Sequence, residues 1–222
     1  MKAGNRAYNS PSDIDEIVPV FPVSGALLLP GGQLPLNIFE PRYLAMVDDA
    51  IRADRLIGMI QPRLDAAEAQ ENPPLCETGC LGRVTAFQEF GDGRVVINLS
   101  GICRYKIVDE VEKVSGYRRC RIEVRDADLN AGNEADQVDR GRLIATLRDY
   151  LEADRLETDW ESVEKTSTDT LVNALCMMSP YGPAEKQALL EAPDLRARAE
   201  TLIAITEFEL AKSGERENPT LQ

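Results

Sequence analysis

The local fold is determined by the stretch Leu34-Pro35-Leu36-Asn37-Ile38-Phe39-Glu40-Pro41-Arg42-Tyr43. Leu34 to Phe39 is apolar enough to predict a β-strand. Pro41 suits the first turn of a helix, because its missing N–H would have no partner at that position anyway. Tyr43 opens a stripe of apolar residues at helical spacing that continues to Ile51. The stretch therefore predicts a strand, a sharp corner and an amphipathic helix.

Strand patterns surround this corner as far as residue 125. Short apolar runs predict strands at residues 17–21, 26–29 and 56–60. Residues 81–100 predict a hairpin, since two alternating runs flank the turn sequence Gly91-Asp92-Gly93. In the first strand of this hairpin, simple alternation separates two sets of side chains, namely Val84, Ala86, Gln88 and Phe90 on one face and Thr85, Phe87 and Glu89 on the other.

Beyond these strands, apolar residues recur at helical spacing. The sequence therefore predicts an α+β fold with a β-rich, pseudo-barrel-like subdomain over 16–125 that contains one inserted helix. Polar residues 126–136 are predicted to be a linker, and 137–213 to be a C-terminal helical bundle. The polar ends, 1–15 and 214–222, are predicted to be a disordered lead and a disordered tail.

The composition is acidic, with 25 Lys and Arg against 38 Asp and Glu, which gives a net charge of -13. Such a surface repels the phosphates of nucleic acids and the head groups of anionic lipids, so neither is an expected partner. No apolar run approaches the roughly 18 residues of a membrane helix, and the polar N-terminus is unlike a signal peptide. We therefore expect a soluble cytoplasmic protein with free thiols. The sequence predicts no particular oligomeric state.

Histidine is absent, which excludes Ser/His/Asp and Cys/His catalysis and histidine-based zinc sites. The pair Cys76 and Cys80 lacks the second cysteine pair of a structural zinc site, so buried thiols are favoured. Residues 126–130 start like a calcium loop but lack its glycine and its final glutamate. Ser162 and Lys165 have the Ser-x-x-Lys spacing without the accompanying motifs, which favours a solvated helix face. No catalytic residue, metal ligand or cofactor is predicted.

Several blocks resemble the N-terminal, substrate-recognition domain of ATP-dependent Lon proteases. The opening stretch is similar to the signature of that family. Val18 to Val23 resembles its opening strand, Gly79 to Val84 its central strand, and Leu99 to Ile107 its Gly-x-x-Arg-aromatic segment. The blocks keep the family's order and spacing over about 17–125, and Tyr181 to Leu190 resembles the helical part of short, stand-alone bacterial members.

This resemblance implies a non-catalytic module that binds proteins or unfolded polypeptide clients, as an adaptor or regulator in protein quality control. Lon protease itself is a candidate partner. The chain contains neither a Walker A lysine loop nor a Ser-Lys peptidase domain, so we expect no ATP hydrolysis and no peptide cleavage. Asn37 departs from the family, in which full-length Lon often has histidine, so any role of an imidazole there is lost.

Candidate binding residues come first from the opening stretch, where simple alternation cannot bury every apolar side chain. A surface groove would be lined by the candidates Leu34, Leu36, Phe39, Arg42 and Tyr43. The alternative, favoured for each apolar residue taken singly, is that these side chains fill the core around the helix.

Two more candidates, Arg119 and Arg121, belong to the densest basic cluster. Alternation predicts that they share an outward strand face with Tyr117 and Glu123, where they would meet an acidic partner. The alternative, which is favoured, is an ordinary solvated strand face.

Two other functions remain open from the sequence. One is a small-molecule sensor with a pocket between the β-rich and helical halves, because the Lon-like β fold resembles the ligand-binding region of cereblon-type proteins. A full aromatic cage is missing, since Trp160 is the one tryptophan and falls in the helical part. The other is a hydrolase that uses Ser162 and Lys165.

Overall fold

The computed structural model describes residues 1–65, 72–114, 116–130, 135–153 and 156–217. These residues form a mixed α+β fold, as the sequence predicts. The strands are β1 (Lys2–Ala3), β2 (Arg6–Ala7), β3 (Ile17–Pro22), β4 (Gln33–Ile38), β5 (Leu56–Ile60), β6 (Thr78–Glu89), β7 (Val95–Val114) and β8 (Tyr117–Val124). The helices are α1 (Pro41–Arg52), α2 (Asp126–Leu129), α3 (Arg140–Ala153), α4 (Trp160–Lys165), α5 (Thr168–Met178), α6 (Pro183–Glu191) and α7 (Leu195–Glu217).

The strands from β3 to β8 form one sheet in the order β4-β7-β6-β5-β3-β8. β7 also pairs with β8, and this pairing closes all of these strands except β4 into a barrel. The length of β7 allows this, because its residues 95–100 pair with β4 and its residues 105–114 pair with β8. The predicted pseudo-barrel with one inserted helix is therefore confirmed, and α1 is that helix.

A buried tyrosine explains two glycines in the barrel wall. Tyr105 lies inside the barrel, and its hydroxyl donates to the Met59 carbonyl at 3.2 Å. A β-carbon added at Gly58 or Gly79 would lie 2.6 or 2.5 Å from the Tyr105 hydroxyl oxygen. Only glycine therefore lets β5 and β6 pass this close to the ring.

Two apolar clusters stabilise the described part of the chain. The first fills the barrel and includes Tyr8, Val20, Leu81, Ile102 and Tyr105. The second joins the sheet, α1 and the C-terminal helices and includes Phe21, Ile38, Met46, Leu99, Val172 and Leu202. Because the second cluster spans both halves, the β-rich and helical parts share a core. None of the helices seen here is long and apolar enough to span a bilayer.

The N-terminal residues are ordered, which differs from the expected disordered lead over 1–15. The Met1 ammonium donates to the carbonyls of Tyr8 and Leu129 at 2.9 and 2.5 Å. Ala3, Tyr8 and Ile14 are buried in the barrel cluster. Three apolar side chains scattered among polar residues give this segment its order, and composition alone does not reveal them.

Residues 26–29 are also different from the expectation, since they form a loop and not a strand. Leu27, Leu28 and Leu29 are buried in the shared core, which accounts for their strand-like composition. The loop is held to β7, because Gly31 N–H donates to the Gly101 carbonyl at 3.0 Å and Gly101 N–H donates to the Gly32 carbonyl at 2.9 Å.

The segment expected to be a linker, 126–136, begins with the packed helix α2, in which Asp128 and Leu129 are buried. Its residues 131–134 lie outside the described ranges. At the other end, α7 continues to Glu217, past the expected boundary at 213. The remainder of the predicted tail, 218–222, also lies outside the described residues.

Candidate functional site

The two leucines of the predicted groove lie half-buried on β4. Leu34 and Leu36 point to the same side as Ile38, which is buried in the shared core. Gln33, Pro35 and Asn37 alternate with them and are exposed. Leu34 and Leu36 therefore combine both expectations, because each packs against the core and keeps part of its side chain in solvent.

Phe39 and Tyr43 lie on opposite sides of the corner at Pro41. Phe39 follows the last residue of β4 and is 64% exposed. Tyr43 is only 7% exposed and packs on Phe21 with ring centroids 4.3 Å apart. Tyr43 therefore fills the core and does not line a surface groove, which agrees with the alternative favoured for the single residue, because the first turn of α1 rotates its ring inward. Burial raises the pKa of the Tyr43 hydroxyl.

Arg42 covers the ring of Tyr43 from the outside. Its guanidinium carbon lies 4.6 Å from the ring centroid, and its Nη2 is 2.9 Å from Glu40 Oε2. The half-exposed Arg42 is thus already engaged by its neighbours, and its first role is to shield the corner.

The arginines of β8 are separate from this corner. Arg121 forms ion pairs with Asp109 and Glu16 at 3.2 and 3.3 Å, and Arg119 is half-exposed. Tyr117, expected beside them on an open face, is instead buried under α1 and donates to Asp49 Oδ2 at 2.9 Å. α1 covers the face of β8 at Tyr117, whereas the same face is in contact with solvent at Arg119 and Arg121.

Two phenylalanines that the sequence reasoning did not select lie close to the exposed end of β4. Phe87 and Phe90 are 41% and 42% exposed. Leu36 pairs with Ile97 of β7, which pairs with Phe87 of β6, so the three side chains form one row across the sheet. At the usual strand spacing, Leu36 and Phe87 are about 10 Å apart.

A register shift brings Phe87 to this side. β6 is irregular between Val84 and Ala86, so Val84 and Phe87 both face the side of the buried residues Leu99 and Ile97. Strict alternation predicts the opposite for Phe87.

The next row places the remaining phenylalanines at the same end of the sheet. Ile38 pairs with Val95, which pairs with Glu89. Phe39 and Phe90 each follow directly in sequence after a member of this row. We refer to Leu36, Phe39, Phe87 and Phe90 as the aromatic surface.

β4 is an edge strand with an interrupted edge. Among the described residues it pairs only with β7. A proline is tolerated in an edge strand when its missing N–H faces away from the paired strand, and Pro35 lies at the centre of β4. The free edge therefore lacks a donor at Pro35 and gives an incomplete template for another strand.

A charged cleft of about 600 Å³ lies between the β-rich and helical halves, where the sensor alternative places a pocket. It is lined by Glu77, Thr78, Arg104, Tyr105, Lys106, Glu123, Val124, Arg125, Leu190 and Glu191. Trp160 is not part of this lining, because it lies on α4 under Arg148, 4.4 Å from the guanidinium carbon to the ring centroid.

Arg104 forms the inner wall of the cleft and joins the two halves. Its Nε and Nη2 donate to the two carboxylate oxygens of Asp128 at 2.8 and 2.7 Å, and its Nη1 donates to the carbonyls of Leu190 and Ala192. Burial raises the pKa of Asp128, but the hydrogen bonds and charge of Arg104 outweigh it, so the pKa lies below its ordinary value. Arg104 thus has a structural role.

The candidate catalytic and metal residues are engaged in ordinary structural contacts. Ser162 Oγ donates to Asp159 Oδ2 at 2.6 Å, whereas Lys165 pairs with Glu161, so no Ser-Lys dyad forms. The thiols of Cys76 and Cys80 donate to different carbonyls. Within the ranges described above, no group of three or more His, Cys, Asp or Glu side chains is placed to hold a metal ion.

Comparison with known proteins shows the family of the chain. The family model for the ATP-dependent protease La (LON) substrate-binding domain matches residues 17–207, and the chain belongs to this family. The resemblance inferred from the sequence is therefore confirmed.

The relatives include full-length proteases. Lon protease 2 of Myxococcus xanthus is 24% identical over 196 residues, which cover 87% of this chain and 24% of that protein. The Lon protease of Parabacteroides distasonis is 28% identical and covers 86% of this chain and 24% of its own length. The chain thus spans about a quarter of the length of these curated relatives.

Solved structures show the same fold. A Lon N-terminal domain protein from Xanthomonas campestris has a TM-score of 0.59 and 22% identity, and the match covers 85% of this chain and 97% of that chain. The N-terminal domain of the Mycobacterium avium complex Lon protease has a TM-score of 0.59 and 18% identity, with 86% and 98% covered.

Proposed function

We propose that the domain binds exposed apolar segments of unfolded polypeptide clients at the aromatic surface. The observation that carries this proposal is the location of three exposed phenylalanines and the half-buried Leu36 at one end of the sheet. Grouped aromatic side chains on a soluble domain are typical of interaction sites, and aromatic residues contribute strongly to protein interfaces.

The mode of binding follows from the interrupted edge of β4. A client that adds a strand needs a row of free N–H and C=O groups, and Pro35 removes one of the donors. Side-chain docking needs only the rings and the leucine. The proposed contact is therefore between apolar client side chains and Phe39, Phe87, Phe90 and Leu36.

In this proposal the domain recognises clients and does no chemistry itself, in the cytoplasm, as an adaptor or regulator of protein quality control. Lon protease is its candidate partner. Membership of the family of Lon substrate-binding domains supports this role. The absence of histidine and the engagement of Ser162 and Lys165 with separate carboxylates also support it.

Replacing Phe39 and Phe87 together with serine should weaken binding of an unfolded polypeptide at least about tenfold, since each buried ring at an interface contributes more than about 1 kcal/mol. The client is a reduced, carboxymethylated and fluorescently labelled protein that cannot refold. Fluorescence anisotropy gives the dissociation constant for the full chain and for the variant.

The matched control is Phe208→Ser, because Phe208 is 60% exposed but lies on α7 in the helical half. The control should bind the client as the unchanged chain does, and both variants should keep their unfolding midpoints. Equal affinity of the double variant and the control would refute the proposed surface.

A further inference from the structure

We propose that the aromatic surface selects client segments that carry lysine or arginine beside apolar residues. This preference rests on the function proposed above and names the class of client. Two features of the surface point to it, namely open ring faces and an uncompensated carboxylate.

The rings of this surface differ from four other aromatic rings of the chain. Cations of the chain lie over four rings, at 4.3 to 5.4 Å from the centroid, and these pairs are Arg6 with Tyr8, Arg42 with Tyr43, Arg148 with Trp160 and Lys212 with Phe208. No described lysine or arginine lies over Phe39, Phe87 or Phe90 in this way. An exposed ring face attracts a cation through its quadrupole, so these three rings are open to a cation of a client.

The uncompensated carboxylate is that of Glu89. Glu89 is exposed and belongs to the row of Ile38 and Val95, between Phe87 and Phe90 in sequence. It forms no ion pair with any residue that the structure describes, whereas nearby Asp92 is paired with Arg94 at 2.6 Å.

The charge of the whole chain acts in the same direction as Glu89. Glu40, beside Phe39, is balanced by Arg42, so Glu89 leaves the aromatic surface with a local negative charge. A net charge of -13 adds a long-range field that attracts cationic segments and repels anionic ones. Cationic, apolar segments therefore match both the rings and the charge, and anionic, apolar segments match only the rings.

Three labelled peptides of equal length and apolar content test this preference, with lysine, glutamine or glutamate at the same polar positions. By fluorescence anisotropy at low salt, the lysine peptide should bind the full chain about tenfold more tightly than the glutamate peptide, from one cation–π contact and one charge contact. The ratio of the affinities for these two peptides should fall towards one at about 0.5 M salt, where exposed charges are screened.

Glu89→Lys should reduce the ratio of the affinities for the lysine and glutamate peptides by about fivefold. Its affinity for the glutamine peptide should stay within about twofold of that of the unchanged chain, which also reports that the variant is folded. Glu152→Lys on α3 makes the same change in net charge away from the surface and should keep most of the ratio. Equal binding of the lysine and glutamate peptides, or an unchanged ratio in Glu89→Lys, would overturn the preference alone. Failure of all three peptides to bind would overturn the proposed function with it.

Discussion

Replacing Arg104 with methionine is expected to lower the free energy of unfolding by about 3–5 kcal/mol, the usual cost of leaving a buried carboxylate without its partner. The variant leaves Asp128 buried without its bidentate donor and removes the hydrogen bonds to the Leu190 and Ala192 carbonyls. Urea unfolding followed by circular dichroism measures the loss. Arg142→Met is the control, because it breaks an exposed pair with Glu207 that solvent screens, so the free energy of unfolding should stay nearly unchanged.

The pH dependence of the same variant separates the ion pair from simple packing. The folded pKa of Asp128 is depressed, so its ionised form stabilises the fold above its unfolded pKa of about 3.9. That stability is lost as the pH falls through the lower, folded pKa. In Arg104→Met, Asp128 loses the hydrogen bonds and the charge of the Arg104 side chain and keeps only the N–H of residue 104 and the charge of Arg125 against its burial, so its pKa rises. The difference in free energy of unfolding between the unchanged chain and Arg104→Met should therefore shrink from pH 7 towards pH 3. A difference that stays constant over this range would contradict the role of the ion pair.

Gly101→Ala is expected to destabilise the fold by about 3 kcal/mol, because a methyl group there has no space. An added β-carbon would overlap the Leu29 carbonyl oxygen and would lie 2.8 Å from the Leu29 carbonyl carbon, so the loop that pairs with Gly101 would have to move. Differential scanning calorimetry measures the change as a lower midpoint of unfolding.

Gly91→Ala is the matched control for this glycine. Its added β-carbon meets nothing within 4 Å, and its φ is not positive, so the free energy of unfolding should change by less than about 0.5 kcal/mol. A Gly101 variant as stable as the Gly91 variant would show that β7 and the loop are not held together by this close approach.

The segment Leu99 to Ile107, which resembles the family in sequence, stabilises the fold at three points. Gly101 admits the loop that carries Leu29, Arg104 ties α2 and the end of α6 to the barrel, and Tyr105 occupies the space left by Gly58 and Gly79. The residues that make the chain recognisable therefore stabilise the fold, and the exposed residues that we propose to contact a client lie elsewhere.

The strand, corner and helix of residues 33–52 could be predicted because their apolar spacing is local. The closure of the barrel could not, since it depends on β7 pairing with β4 at one end and β8 at the other. The order of residues 1–15 also depends on distant partners, because Tyr8 is buried only when the barrel exists. Local patterns thus predicted most of the elements, and long-range pairing decided their arrangement.

The candidate site was predictable only in part, for two geometric reasons. Phe39 and Tyr43 are four residues apart, but the corner at Pro41 leaves the first in solvent and rotates the second into the core. The register shift between Val84 and Ala86 moves Phe87 to the face opposite to the one that alternation predicts. A change of one residue in register reverses every later side chain, and the sequence contains no clear signal for it.

Site-specific photo-crosslinking tests the proposed client surface most directly, with a benzoyl-phenylalanine at position 87, in place of Phe87, or at position 208, in place of Phe208. Each protein is irradiated with the labelled, carboxymethylated client, with and without an excess of unlabelled client. We expect a crosslinked product at position 87 that the excess client removes, and little product at position 208. Equal crosslinking at the two positions, or a product that the excess client does not reduce, would contradict the proposed surface.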